Sequence, residues 1–262
     1  MSARIHADHA ATTRPAPEVV EAMQPWLAER FGNASSVHAR GEAARDAIGS
    51  ARLEVARLVG AQSEEIVFTA TGSEANNLAL RGALRATTGR NRLVTTTIEH
   101  ASVLGPARAL EAEGFALTLV PVRANGAVDP DELEAALGPD VALVSVMAVN
   151  NETGVIQPLE EIGPLVQECG ALFHVDAMQA PGKIAIAVDG WQADLLSIAA
   201  PAPRTCPRSW AWAWRRAARA RRWRAASPGA WRSLASGCSR ACSRACRTRG
   251  STAISTVAWA RS

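Results

Sequence analysis

Six residues of this sequence have the types and the spacing of one ligand-binding site. Each lies in a turn or at the end of a short apolar run, where a strand would stop. The carboxyl ends of parallel strands meet at one edge of a sheet, so these residues are predicted to share a site there. Taken singly, each also fits a turn or a helix cap. The six are Gly72, Ser73, His100, Asn151, Asp176 and Gln179.

Asp176 is the most informative of them, because it closes the apolar run from Ala171 to Val175. A carboxylate held against a pyridine ring keeps the ring nitrogen protonated, and the ring then withdraws electrons from its substituents. If the ring belongs to a cofactor that carries an aldehyde, the site also needs a lysine to bind that aldehyde. The lysine would be expected at the end of a second apolar run, from Asp194 to Ala200. Alanine and proline occupy these positions instead, up to Ala202.

Gly72 and Ser73, with Thr71 before them, form a predicted turn between a short strand, Ile66 to Thr69, and a helix. Free N–H groups in the first turn of a helix suit a phosphate, and a glycine allows it to approach closely. The same residue types also occur in turns that only cap a helix. Both interpretations stay open at this point.

Predicted strands and helices alternate along the chain, which is typical of an α/β fold with a parallel sheet. Further strands are predicted in RLVTTT, FALTLVPV and VALVSVMAVN. Asn33 and His38 lie in the loop FGNASSVHARG and fit loop chemistry and a site role equally well. Helices are predicted from Pro17 to near Arg30, from a cap at Ser35 or Ser36 to Gly60, after Thr71, after His100, after a cap near Asp129, and in PLEEIGPLVQEC.

The composition changes abruptly near residue 200. Residues 1–200 hold 25 acidic and 14 basic side chains, a net charge of −11, whereas residues 201–262 hold 14 arginines and no acidic residue. Six of the eight tryptophans also lie in the second segment. A basic, aromatic tail suits nucleic acid, because guanidinium groups contact phosphates and indoles stack on bases.

A shift of reading frame near codon 200 explains the same segment better. Residues 201–262 contain no Asn, Gln, His, Phe, Tyr or Met, and they are rich in the amino acids that a GC-rich gene yields out of frame. We therefore expect an incomplete α/β domain over residues 1–200 and a tail that is irregular or poorly ordered rather than a domain. Translating the nucleotide sequence in the other two frames tests this hypothesis.

Six collinear segments resemble the cysteine desulfurases, which are class V aminotransferases that use pyridoxal 5′-phosphate. The resemblance implies the large domain of fold type I, a mainly parallel, seven-stranded-type sheet flanked by helices. It also implies conversion of L-cysteine to L-alanine with formation of an enzyme persulfide, whose sulfur goes to iron–sulfur cluster assembly or tRNA thiolation. Within residues 5–200 the segments are DHAATTRP, FGNASSVHARG, EEIVFTATGSEANNLAL, TTTIEHASV, VNNETGVIQPLEEI and FHVDAMQAPGKIAI.

The resemblance implies a role for each candidate residue. Gly72 and Ser73 would bind the cofactor phosphate, and His100 would stack on the pyridine ring. Asn151 and Gln179 would lie near the phenolic oxygen, where a hydrogen bond tunes the reactivity of the neighbouring group. The carboxylate at the end of the run ALFHV would hold the ring nitrogen protonated, in agreement with the strand-end argument.

The catalytic centre departs from the family pattern. The Ser-x-His-Lys stretch of the family falls on residues 199–202, so Ala202 stands where the lysine that binds the cofactor aldehyde should be. Lys183, the only lysine of the chain, lies in GKIAI, which the family uses structurally. The persulfide-forming cysteine matches none of the cysteines beyond residue 200. We therefore predict weak cofactor binding without an imine, and no desulfurase activity.

Other functions remain open at this level. The same motifs fit a selenocysteine lyase or another class V transaminase, and a basic tail on an inactive scaffold would bind nucleic acid, which is the less favoured hypothesis. A homodimer and a sulfur-acceptor scaffold protein are the partners that the resemblance implies. Without a secretory signal or a membrane-spanning run, a cytoplasmic protein is expected.

Cysteine usage predicts no metal site. Cys169 is expected to be a small buried thiol between a helix and a strand. Cys238, Cys242 and Cys246 repeat at four-residue spacing, which would align three thiols on a helix, but no His or acidic residue lies near them in the sequence.

Overall fold

The computed structural model describes residues 8–199, and a parallel sheet of five strands forms its centre. The strands lie in the order β2-β1-β3-β4-β5, and every neighbouring pair is parallel. This confirms the predicted α/β class with a parallel sheet; the described part of the chain contains five strands, whereas the resemblance implies a seven-stranded-type sheet. The strands are β1 (Arg92–Thr96), β2 (Ala116–Val120), β3 (Val141–Met147), β4 (Leu172–Asp176) and β5 (Leu195–Ser197).

Six α-helices accompany the sheet in residues 8–199, close to the positions that the sequence predicts. The second ends at Gly60, whose φ of 68° provides the left-handed cap that a glycine adopts without strain. The fifth begins after Asp129, whose side chain accepts the N–H of Asp131. The helices are α1 (Pro17–Ala28), α2 (Ala39–Val59), α3 (Gly72–Ala86), α4 (Ala101–Ala112), α5 (Pro130–Ala136) and α6 (Leu159–Cys169).

Side chains alternate between the two faces of the sheet and build a separate apolar core on each. On β3, Leu143 joins the core under α3 and α4, whereas Val144 joins the core that includes residues of α5 and α6. Burial on both faces explains why the strands read as nearly continuous apolar runs. The few polar residues within these runs therefore lie inside the protein.

Two local predictions were wrong. Helix α2 is capped by His38, whose ring accepts the N–H of Gly41 at 3.3 Å, and not by Ser35 or Ser36. The N–H groups of these two serines instead bond to Asn33, in a turn that precedes the helix.

The segment from Ile66 to Thr69 is not a strand. Ile66 is buried, as a strand residue would be, but its carbonyl oxygen accepts a hydrogen bond from the Arg52 guanidinium rather than from a neighbouring strand. The β-branched residues thus give an extended backbone here, but no strand in the described part of the chain pairs with it.

Helix α6 packs so closely against the backbone at Trp191 that Gly163 has no room for a side chain. A Cβ at this position would lie 2.1 Å from the carbonyl oxygen of Trp191. We expect Gly163→Ala to lower the free energy of unfolding by about 1–3 kcal/mol or more, measured by urea unfolding. Gly49→Ala on α2 is the matched control, since a Cβ there meets no atom within 4 Å and should stabilise by up to about 1 kcal/mol. Equal stability of the two variants would contradict this packing.

No helix among residues 8–199 is both long enough and apolar enough to cross a membrane.

Candidate functional site

A cavity of about 660 Å³ opens where strands β3, β4 and β5 end. Met147, Asp176 and Ala199, at or just after the ends of these strands, contribute to its wall, and the loop at residues 8–13 covers another side. The structure brings all six candidate residues to this one cavity, although no strand precedes Gly72 and Ser73. They are Gly72, Ser73, His100, Asn151, Asp176 and Gln179.

The start of α3 combines a helix cap with unused hydrogen-bond donors. The Thr71 hydroxyl accepts the N–H of Glu74 at 3.1 Å, and the Glu74 carboxylate turns back to accept the N–H of Ala70 at 2.6 Å. The N–H groups of Gly72 and Ser73 precede the first intrahelical bond and have no partner within residues 8–199. Capping and anion binding are therefore compatible, because different residues serve them.

Asp176 lies at the floor of the cavity and is only 4% exposed. One carboxylate oxygen accepts the N–H of Met178 at 3.1 Å, and the other accepts the side-chain amide of Asn76 at 2.8 Å. Burial raises the pKa of Asp176, whereas these two hydrogen bonds and the nearby His100 ring oppose the rise. A cationic group in the cavity would stabilise the ionised form of this carboxyl group.

Asn76 connects the two predicted ring-contacting residues, and the sequence analysis missed it. Its fully buried amide nitrogen donates to Asp176 and, at 2.9 Å, to the hydroxyl of Ser102. That hydroxyl lies 2.7 Å from Nδ1 of His100, which also caps α4 by accepting the N–H of Ser102. A polar residue on the otherwise apolar inner face of α3 was the available signal, since Ala75, Asn76 and Ala79 are all buried there.

The amide side chains at the mouth of the cavity are held by local contacts. Gln179 donates from Nε2 to the carbonyl oxygen of Ala10 at 3.2 Å and accepts a hydrogen bond from Lys183 Nζ. Asn151 donates to the carboxylate of Glu152 at 2.7 Å. Gln179 thus ties the loop at residues 8–13 to the segment that follows β4.

Glu99 is a second buried carboxyl group near Asp176. Its Oε1 accepts the Thr96 hydroxyl at 2.9 Å and the N–H of Met147 at 2.8 Å, whereas its buried Oε2 has no partner within residues 8–199. Burial and, secondarily, the charge of Asp176 raise the pKa of Glu99 to about 8. The group is therefore largely protonated at neutral pH. Glu99 directly precedes the candidate His100 in the sequence, but nothing in this position predicts a buried carboxyl group.

Replacing Glu99 with glutamine should remove a pH-dependent loss of stability. Because the pKa rises from 4.5 to about 8 on folding, the protonated group contributes fully below pH 4.5, and this contribution falls as pH rises through 8. Across this pH range, the contribution of Glu99 to the free energy of unfolding falls by about 5 kcal/mol. In urea unfolding, Glu99→Gln should match the parent near pH 5 and exceed its stability at pH 9. Glu111→Gln, on the exposed face of α4, is the control; parallel curves for parent and Glu99→Gln would count against a buried acid.

His174 forms a buried polar bridge across three strands. Its two ring nitrogens lie 2.8 Å from the Ser145 hydroxyl on β3 and 3.0 Å from the Ser197 hydroxyl on β5. Burial lowers the pKa of His174 to about 3, so the ring is neutral. The bridge ties β5, only three residues long, to the sheet just before the chain reaches the cavity at Ala199. The sequence analysis took FHVD as an apolar strand and assigned His174 no role.

Other sequence candidates lie elsewhere. Asn33 and His38 do not line the cavity and serve the turn and cap described above. Cys169 is half-buried, with Sγ donating to the carbonyl oxygen of Gly138 at 3.3 Å. Three further features lie outside the described residues. They are Ala202 at the position of the expected catalytic lysine, the tail for which an irregular structure was expected, and the three spaced cysteines.

The sequence matches the aminotransferase class-V family over residues 5–201. The cysteine desulfurase IscS of Dictyoglomus turgidum is 45% identical over 201 residues, which are 76% of this chain and 51% of the relative. The chain thus spans about half the length of the curated relatives it matches.

Solved structures agree with this match. The structure described as SspA in complex with cysteine has a TM-score of 0.70 and 40% identity, covering 73% of this chain and 55% of that one. The apo cysteine desulfurase of Thermococcus onnurineus NA1 has a TM-score of 0.73 and 31% identity, with 81% and 53% covered. Both comparisons confirm the family and fold class predicted from the sequence, and with them pyridoxal 5′-phosphate as the family's cofactor. The chain belongs to the aminotransferase class-V family.

Proposed function

We propose that residues 8–199 form the cofactor pocket of a pyridoxal-phosphate-dependent cysteine desulfurase, and that this polypeptide binds the cofactor without desulfurating cysteine. The observation that carries the proposal is the meeting of three chemistries in one cavity. The unused N–H groups of Gly72 and Ser73 suit a phosphate, the buried carboxylate of Asp176 suits a ring N–H, and the His100 ring offers a flat apolar face.

The donor set fits the cofactor on grounds of charge. Among residues 8–199, neither Asp176 nor Glu99 has a lysine or arginine partner, so the floor of the cavity offers a carboxyl group that no protein cation neutralises. A protonated pyridine nitrogen supplies the missing positive charge. Burial keeps Glu99 neutral, so Asp176 is the carboxyl group at the floor of the cavity that a cationic ring would hold in its ionised form.

Different residues of the cavity would bind different parts of the ligand. Pyridoxal phosphate, when bound, supplies a ring that accepts electrons from an attached amino acid. Asp176 would keep the ring nitrogen protonated, with Asn76 fixing the carboxylate in place. His100 would restrict the tilt of the ring, itself held by Ser102. Asn151 and Gln179 would offer hydrogen bonds at the mouth of the cavity.

Cysteine is the substrate that the comparisons favour over selenocysteine or an amino-group acceptor. The relatives compared above are named cysteine desulfurases, and one solved relative is described in complex with cysteine. The proposal includes a second copy of the chain as partner, for which exposed apolar side chains such as Leu27, Phe31 and Leu58 offer a surface. It further includes a sulfur-accepting scaffold protein and a cytoplasmic location.

Inactivity follows from residue 202. A desulfurase of this family needs a lysine there, and the chain has Ala202. A change of reading frame near codon 200 remains our explanation, supported by the family match ending at residue 201 and by the change of composition at the same place. The nucleic-acid alternative concerns residues 201–262, which lie outside the described part.

Equilibrium dialysis of the full chain against pyridoxal phosphate tests the proposal. We expect saturable binding that inorganic phosphate competes away, and no alanine release from cysteine above a control containing the cofactor alone. Absence of saturable binding would refute the pocket. Catalytic release of alanine would refute the inactivity.

A further inference from the structure

Lys183 is brought to the cavity by a tight turn after β4. The carbonyl oxygen of Ala180 accepts the N–H of Lys183 at 3.0 Å, and Pro181 and Gly182 occupy the corner, with a φ of 73° at the glycine. Proline followed by glycine with positive φ is the signature of a type II turn. The turn places the lysine among the residues that line the cavity, four positions after Gln179.

The amine of Lys183 is not held by a charge. Its only side-chain hydrogen bond among residues 8–199 is to the neutral amide oxygen of Gln179, and no carboxylate forms an ion pair with it there. Losing the ammonium proton therefore breaks no ion pair. Of the residues that the structure describes, Lys183 is also the only lysine or arginine that lines the cavity, and the sequence contains no other lysine.

We propose that Lys183 is an aldehyde-acceptor site of this chain, which forms a covalent carbon–nitrogen double bond with an aromatic aldehyde phosphate held in the cavity. The inference rests on the proposed cofactor pocket and departs from the structural role predicted for the GKIAI segment. With Ala202 at the usual lysine position, Lys183 is the amine that the cavity itself provides.

The reaction balances without any further reactant. Nζ first loses one proton to solvent, and the neutral amine adds to the aldehyde carbon. The carbonyl oxygen then leaves as water together with the two remaining amine hydrogens, and the carbon–nitrogen double bond forms. No oxidation or reduction occurs. Holding the phosphate at the start of α3 raises the local concentration of the aldehyde, so labelling should be faster than on an amine outside the cavity.

Borohydride trapping on the full chain tests the inference. Pyridoxal phosphate is added, the product is reduced, and the proteolytic peptides are mapped by mass spectrometry, with the α-amino group of Met1 as the competing amine. We expect the adduct on Lys183, protection by inorganic phosphate, labelling by phosphate-free pyridoxal at least about tenfold slower, and no adduct in the cavity peptide of Lys183→Arg.

Non-covalent binding, measured by dialysis without reductant, separates this inference from the proposed function. Saturable binding with no adduct on Lys183 would overturn the inference and leave the pocket intact. Equal labelling by pyridoxal, or labelling that phosphate does not protect, would also overturn it, because either indicates ordinary surface chemistry. Absence of both binding and labelling would refute the pocket as well. The phosphate protection uses the unaltered chain, so the test does not depend on the folding of a variant.

Discussion

Replacing Asp176 with asparagine is expected to weaken the binding of pyridoxal phosphate by about 10- to 100-fold, because a hydrogen bond to a charged group contributes about 1.5–3 kcal/mol. The substitution keeps the shape of the side chain and the oxygen that accepts the Met178 N–H. The introduced amide would face the donor of Asn76, whose own Oδ1 has no partner within residues 8–199 and becomes an acceptor if that amide turns. The fold should therefore survive.

Asp46→Asn is the matched control for this change, since it removes the same charge from an exposed position on α2 outside the cavity. Equilibrium dialysis with both variants and the parent gives the comparison. We expect the affinity of Asp46→Asn to equal that of the parent. Equal affinity of all three chains would show that the carboxylate at the floor of the cavity does not bind the cofactor.

Replacing His174 with glutamine should change both stability and its dependence on acid. At pH 7 the loss of well-placed bonds to Ser145 and Ser197 should lower the free energy of unfolding by about 1–3 kcal/mol. Because the pKa of His174 falls from 6.5 to about 3 on folding, its contribution is complete above 6.5 and is lost as pH falls toward 3. This pH dependence lowers the free energy of unfolding of the parent by about 5 kcal/mol in total, and the variant should not show it.

Urea unfolding followed by circular dichroism between pH 4 and pH 8 measures this effect. The greater stability of the parent at pH 7 should shrink as the pH falls, and His174→Gln should become the more stable chain near pH 4. Ser197→Ala is the control, because it removes one bond of the bridge and keeps the imidazole, so its curve should run parallel to that of the parent. If His174→Gln also ran parallel to the parent, the ring would not be buried and neutral.

The ends of strands were the most predictable part of the site. Asp176 and Asn151 follow apolar runs that predict buried strands, and parallel strands bring their carboxyl ends to one edge of the sheet. The turn at Gly72 and Ser73 was predicted from its residue types, although the strand predicted before it does not form, and only the structure shows that Thr71 and Glu74 do the capping.

Polar residues inside apolar runs were not predictable in their roles. His174 and Glu99 have no local pattern that reports burial, and their partners Ser145 and Met147 lie 29 and 48 residues away in the sequence. Their importance depends on which strands become neighbours, and single runs do not encode that order. The prediction of a strand from Ile66 to Thr69 was wrong for a different reason. Its β-branched residues favour an extended backbone, but they do not supply the partner strand that a sheet requires.

Titration of the full chain with pyridoxal phosphate and with its 1-deaza analogue, in which a C–H group replaces the ring nitrogen, tests the central claim most directly. If Asp176 binds the ring N–H, the unaltered chain should prefer the natural cofactor by about tenfold or more, and Asp176→Asn should bind the two compounds alike. Equal affinity of the unaltered chain for both compounds would contradict the account.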